Sequence, residues 1–149
     1  MIFMKKIIFF LVLAILILFS ISKLYYSPEK RMLKGFAQDV INENIKIEKI
    51  IDKYIICDKR AIEIDILVLK HFRSEYKKHP SNISVFTFKE RKNDKRLKGL
   101  VSDHYENVYL IDFGEKLHMP ILLNKNSKII SIVAMDKGGT QFFIITGNK

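Results

Sequence analysis

The apolar positions of the chain follow three patterns in succession. The first is a block. Ile7 to Ser22 carries no charge, and Ile7 to Phe19 is thirteen consecutive apolar residues. The second pattern has helical spacing. Met32, Leu33, Phe36, Ala37, Val40 and Ile41 recur at intervals of three and four, and so do Ile47, Ile50, Ile51, Tyr54 and Ile55. Ser27-Pro28-Glu29 reads as the start of the first of these helices. Serine accepts a backbone N–H at the N-cap, proline fits the first helical position, and an acid favours the first turn. Asn42-Glu43-Asn44 marks the break between the two. A third helix, with Asp58 placed to cap it, is predicted to run to about Lys78, where Pro80 stops it. Its stripe of Ile62, Ile66, Leu69, Phe72 and Tyr76 is widened by Ile64, Leu67 and Val68, which predicts substantial burial.

The third pattern is a set of short runs rich in Ile, Val, Phe and Tyr: Ile83–Lys89, Asn107–Phe113, Met119–Asn124, Lys128–Met135 and Gln141–Thr146. Turn residues separate them, at Gly99, Gly114, Asn124-Lys125-Asn126-Ser127 and Gly138-Gly139. Such runs predict an antiparallel meander. Helices before strands predict an α+β domain over residues 27–149, with about three helices packed on one face of a curved antiparallel sheet of four to five strands.

The apolar block at the N-terminus decides where that domain is to be sought. Lys5 and Lys6 precede it. A charged start, an apolar stretch and small residues at Ser20 and Ser22 satisfy the pattern of a secretory signal cut before Lys23. The preferred reading is an uncleaved anchor, residues 1–26. A span needs about 20 residues, and Lys23 snorkelling with Leu24, Tyr25 and Tyr26 extends the run to that length. The two tyrosines then fall at the interface. Flanking cations do not favour one side, since Lys23, Lys30, Arg31 and Lys34 come after the segment. A single anchor before a folded domain predicts an extracytoplasmic domain, secreted if the segment is cleaved.

Composition adds charge. The 149 residues carry a formal net charge of +10, of which Lys5 and Lys6 are the whole contribution of residues 1–22, so +8 belongs to residues 23–149. Such a charge fits nucleic acid, anionic lipid or an acidic polymer as partner, and the plainer reading is a Lys-rich solvated surface. The densest run is Lys89–Lys98, which reads first as a solvated hairpin loop, with Arg91, Lys92, Lys95 and Arg96 as candidate contacts to an anionic surface. The expected partners are the membrane, through residues 7–26, and anionic lipid or an envelope protein. Nucleic acid is disfavoured, because the run has no interleaved aromatics and export removes the partner. Cys57 is the only cysteine, so no intrachain disulfide forms. No Cys/His spacing predicts a metal site, and no cofactor is expected.

Candidate chemistry is sparse. Asp103-His104-Tyr105-Glu106, with Asp112 and His118 nearby, has the residue types for acid–base work or for lining a ligand pocket. His104, Tyr105, Asp112 and His118 are the candidate pocket residues. His71 and His79 stand in no metal-binding pattern. Cys57 reads as a small buried hydrophobe. Lys137-Gly138-Gly139-Thr140 lacks the spacing of a phosphate-binding loop and reads as a hairpin turn.

The helices followed by a meander resemble the NTF2-like and cystatin-like group of small α+β domains. Asn124–Ser131, followed by Lys137-Gly138-Gly139, is similar to the closing hairpins of many small uncharacterised bacterial envelope proteins. The resemblance covers about residues 28–146 and rests on element order and turn chemistry. It implies a curved sheet enclosing a pocket, in a group that includes enzymes, ligand carriers and structural modules. The expected function is a single-pass, non-enzymatic interaction or accessory module. The alternative is a pocket protein that binds a small ligand or acts as a small hydrolase or isomerase.

Overall fold

A computed structural model of the chain describes residues 27–59 and 61–145. Helix α1 is Pro28–Ile41, α2 is Ile47–Tyr54 and α3 is Ile62–Lys78. The Ser27 hydroxyl caps α1 by accepting the Lys30 N–H at 3.2 Å. The chain divides at Arg31, within α1, and the core lies in the unit that begins at Met32. Leu33, Phe36, Ala37 and Val40 of α1 and Ile47, Ile50, Ile51 and Tyr54 of α2 are buried there. Arg73 of α3 donates from Nε to the Val40 carbonyl at 2.6 Å and from Nη2 to the Ile45 carbonyl at 2.9 Å. A guanidinium thus satisfies the Val40 carbonyl at the end of α1 and ties it to the connection that leads into α2.

Among the described residues seven strands follow: β1 Ile83–Thr87, β2 Leu100–Val101, β3 Val108–Phe113, β4 His118–Leu123, β5 Ile129–Ser131, β6 Ala134–Lys137 and β7 Thr140–Phe143. They form two sheets, one of four strands in the order β1-β3-β4-β5 and one of three in the order β2-β7-β6. The larger sheet is antiparallel throughout. Its odd-numbered positions Tyr109, Ile111, Phe113, Met119, Ile121 and Leu123 join the helical core, with Phe72 and Tyr76 of α3 against the Phe113 ring. Its even-numbered positions Val108, Leu110 and Leu122 form a second core with Leu97, Leu100 and Ile130, against which Phe143 packs. Both faces of β3 are therefore covered, and all six of its residues are buried. Pro120 is tolerated inside β4 because β5 reaches only Leu122 and Leu123, so the proline has no neighbour on its other side.

The α+β class, the three helices and the antiparallel pairing agree with the pattern of the sequence. Four details differ. The strands are not one meander, since the run predicted over Lys128–Met135 breaks at Ile132–Val133 and passes from one sheet to the other. Buried Ser131 makes the break possible. Its hydroxyl lies 2.6 Å from the Ile144 carbonyl and 3.0 Å from the Val133 carbonyl, replacing ladder bonds lost at the kink. The short strand β2, which pairs with β7 in parallel, has no counterpart in the predicted set. Asp58 does not occupy the N-cap of α3: Ala61 does, with no side-chain cap bond. The α3 stripe is narrower than predicted, with Ile64 43% and Leu67 68% exposed. The segment Ile7–Tyr26, read as a membrane anchor, lies outside the described residues. Among the described residues no helix is long and apolar enough to cross a membrane.

Candidate functional site

Strand register sets out the site. Ser84, Asp112 and His118 stand opposite one another across β1, β3 and β4, on the sheet face away from the helices. Phe86 is two residues along β1 on the same face. The segment after β1 folds back over this row in two 3₁₀ turns, Lys89–Arg91 and Lys95–Leu97. Thr87 and Glu90 hold the first turn reciprocally. The Glu90 carboxylate accepts from the Thr87 N–H at 2.7 Å, and the Thr87 hydroxyl accepts from the Glu90 N–H at 3.3 Å. This is the capping-box exchange, written in the sequence as Thr87-Phe88-Lys89-Glu90. Asp94 caps the second turn through the Arg96 N–H, 3.0 Å away. Leu97 anchors the segment by entering the second core.

The folding-back brings four charges together. Arg96 donates from Nη1 and Nη2 to the two Asp112 oxygens at 2.8 and 3.2 Å, and from Nε to Asp94 at 2.9 Å. The Arg91 guanidinium lies over the Phe86 ring, its Cζ 3.8 Å from the centroid, with its Nη2 3.7 Å from Asp112. Two carboxylates thus balance two guanidiniums in a partly desolvated place, where bidentate pairing is strong. The hydrogen bond from Arg96 holds the Asp94 carboxyl well below the usual carboxylate range. Asp94 in turn raises the Arg96 guanidinium still further above its ordinary value. His118 is pushed down, first by burial and then by the positive charge of Arg96, and Asp112 and Asp94 offset this only in part. Its Nδ1 is buried without a hydrogen-bond partner, as is Arg91 Nε.

Beside the cluster runs an open groove of about 1020 Å³, lined by Ser84, Phe86, Arg91, Arg96, Asp112 and Lys116 among others. A second cavity of about 820 Å³ lies against the small sheet and includes Val101, His104, Lys125, Phe142 and Ile145.

The structure therefore divides the predicted pocket set. Asp112 and His118 are a cross-strand pair, and Asp112 lines the first groove. His104 lines the second cavity, with its Nδ1 3.3 Å from Glu106. Tyr105 stacks on Phe88, ring centroids 4.5 Å apart, and donates its hydroxyl to the Leu100 carbonyl. Of the predicted surface cations, Lys92 and Lys95 are exposed, while Arg91 and Arg96 turn inward onto Asp112. Cys57 is half-buried, and burial together with Asp65, Asp52 and Asp58 pushes its thiol up, away from thiolate character. Gly138 and Gly139 both adopt positive φ at the β6–β7 turn, as a hairpin requires. Among the described residues no group of three or more His, Cys, Asp or Glu side chains is placed to hold a metal ion. Compared with protein-family models, with curated proteins and with solved structures, the chain matches none of them.

Proposed function

We propose that this chain is a single-pass membrane protein whose small α+β domain stands on the extracytoplasmic side and works as a non-enzymatic binding or accessory module. The tether is supported by the sequence of Ile7–Tyr26 behind Lys5 and Lys6. The binding role is supported above all by the state of Asp112. This carboxylate has the position of a base beside His118, yet it is held by both Arg96 nitrogens with Arg91 close by. A carboxylate whose two oxygens are both engaged by a guanidinium is tied to the fold rather than presented to a substrate. Alkaline carbonate extraction of cells producing the full chain tests the tether. The full-length chain is expected in the membrane pellet, and a soluble product starting near Lys23 would overturn it.

A second reading, an NTF2-like pocket protein for a small ligand, is favoured by the groove of about 1020 Å³ beside Arg91 and Lys116. It predicts that small carboxylate or phosphate compounds raise the melting temperature of the detergent-solubilised chain, and that Arg91→Ala abolishes the rise. No compound-dependent rise would remove this reading.

A further inference from the structure

The small sheet has one face against the second core and one facing out. Leu100 and Phe143 take the inner face. On the outer face Phe142 stands between Val101 of β2 and Met135 of β6, its register partner on both sides. These three side chains are 47%, 45% and 55% exposed in the order Val101, Phe142, Met135, and Ile145, just past β7, is 45% exposed. The solvent face of a surface sheet ordinarily alternates to polar residues. Here a row of large apolar side chains crosses all three strands, the kind of contiguous patch that marks an interaction surface.

Lysines lie beside the row. Lys137 shares the outer face of β6 with Met135, two residues away. Lys125 lines the same cavity as Val101, Phe142 and Ile145. Lys92, Lys95 and Lys98 are exposed on the segment that leads into β2. Asp103 is the one carboxylate in that cavity lining. Asp136 falls on the other side of β6 from Met135, and one of its oxygens accepts the Gly139 N–H at 2.9 Å. An apolar strip bordered by lysines fits the boundary between anionic headgroups and acyl chains. The tether gives the reason for choosing lipid as the occupant. The apolar segment ends at Tyr26 and the next residue, Ser27, already caps α1. So short a connection keeps the domain surface at a high effective concentration against the bilayer.

We propose that the outer face of the small sheet, formed by Val101, Phe142 and Met135, lies in the interface of an anionic bilayer, with Lys137 and Lys125 at the phosphates. This rests on the tethered reading above. The chain has no tryptophan, so a single introduced indole reports its own surroundings. The full chain carrying Met135→Trp is reconstituted into phosphatidylcholine vesicles with and without one quarter phosphatidylserine, and the vesicles are floated. A parallel chain carries Leu67→Trp, on the exposed side of α3. The expected result is a shift of the Met135→Trp emission to shorter wavelength and quenching by brominated acyl chains, greater with phosphatidylserine. Leu67→Trp stays unshifted. Phe142→Trp repeats the result should Met135→Trp fold poorly, and adding Lys125→Gln and Lys137→Gln lowers the quenching. A chain that floats with an unquenched indole at both positions overturns the lipid contact and leaves the tether standing. A chain that does not float overturns both. An indole shielded equally in detergent, with concentration-dependent cross-linking between chains, overturns the lipid contact in favour of self-association.

Discussion

Asp112 and Arg96 hold the segment from Lys89 to Lys98 down on the sheet. Removing one partner leaves the other charge partly buried, which costs about 3–5 kcal/mol for fully buried pairs. Arg96 is 24% exposed and keeps Asp94, so a smaller loss is expected. Asp112→Ala is predicted to destabilise the domain by about 2 kcal/mol, read by urea unfolding. An unchanged midpoint would mean that the cluster contributes nothing to stability. His118 makes the second residue-scale prediction. Its folded value lies below its ordinary value of about 6.5, so folding favours the neutral ring. That contribution is complete above the ordinary value and is lost as pH falls below it and through the lower folded value. Asp94, also lowered, loses its contribution only at far more acid pH. Stability is therefore predicted to drop as pH falls below about 6.5, and His118→Gln should flatten that drop. A pH dependence of equal size in the variant would assign it to other groups. The sequence made Asp112 and His118 visible as chemistry-bearing residues, and Arg91 and Arg96 as a separate surface set. Their convergence was not legible, because it depends on the β3–β4 register and on a loop turning inward. Thr87-Phe88-Lys89-Glu90 was the local signal that the segment begins with an ordered turn.

At the scale of elements, the start of α1 and the end of α3 were legible because Ser27 and Pro80 act on their immediate neighbours. The second sheet was not. Lys128–Met135 reads as one strand, and the break after Ser131 depends on an acceptor thirteen residues away, the Ile144 carbonyl. Ser131→Ala removes that hydroxyl from a fully buried position and leaves the half-buried Ile144 carbonyl without it, at a predicted cost of about 1 kcal/mol. Hydrogen exchange should then accelerate in β6 and β7 first, and uniform acceleration across both sheets would contradict a hinge role. Gly99 is the other joint. Its φ is +81°, its carbonyl accepts the Gln141 N–H at 2.8 Å, and an added Cβ would run into the Gly139 carbonyl. Gly99→Ala is predicted to detach β2 from β7 and to destabilise by at least about 1 kcal/mol, measured by the same unfolding experiment.

At the scale of the whole molecule, a basic α+β domain carries helices on one sheet face and a small sheet on the other, and the proposed tether holds it at a membrane. The order of helices and strands was legible because hydrophobic period is a local property. The covering of both faces of β3 was not, because it comes from the packing of a second sheet built from distant strands. The functional proposal stands or falls on the domain being tethered outside the cytoplasm, and reporters fused after Lys149 decide this. A phosphatase that is active only after export and a protein that fluoresces only when it folds in the cytoplasm are fused there in separate strains. A tethered, exported domain gives phosphatase activity in the membrane fraction and no fluorescence. Fluorescence without phosphatase activity would contradict it.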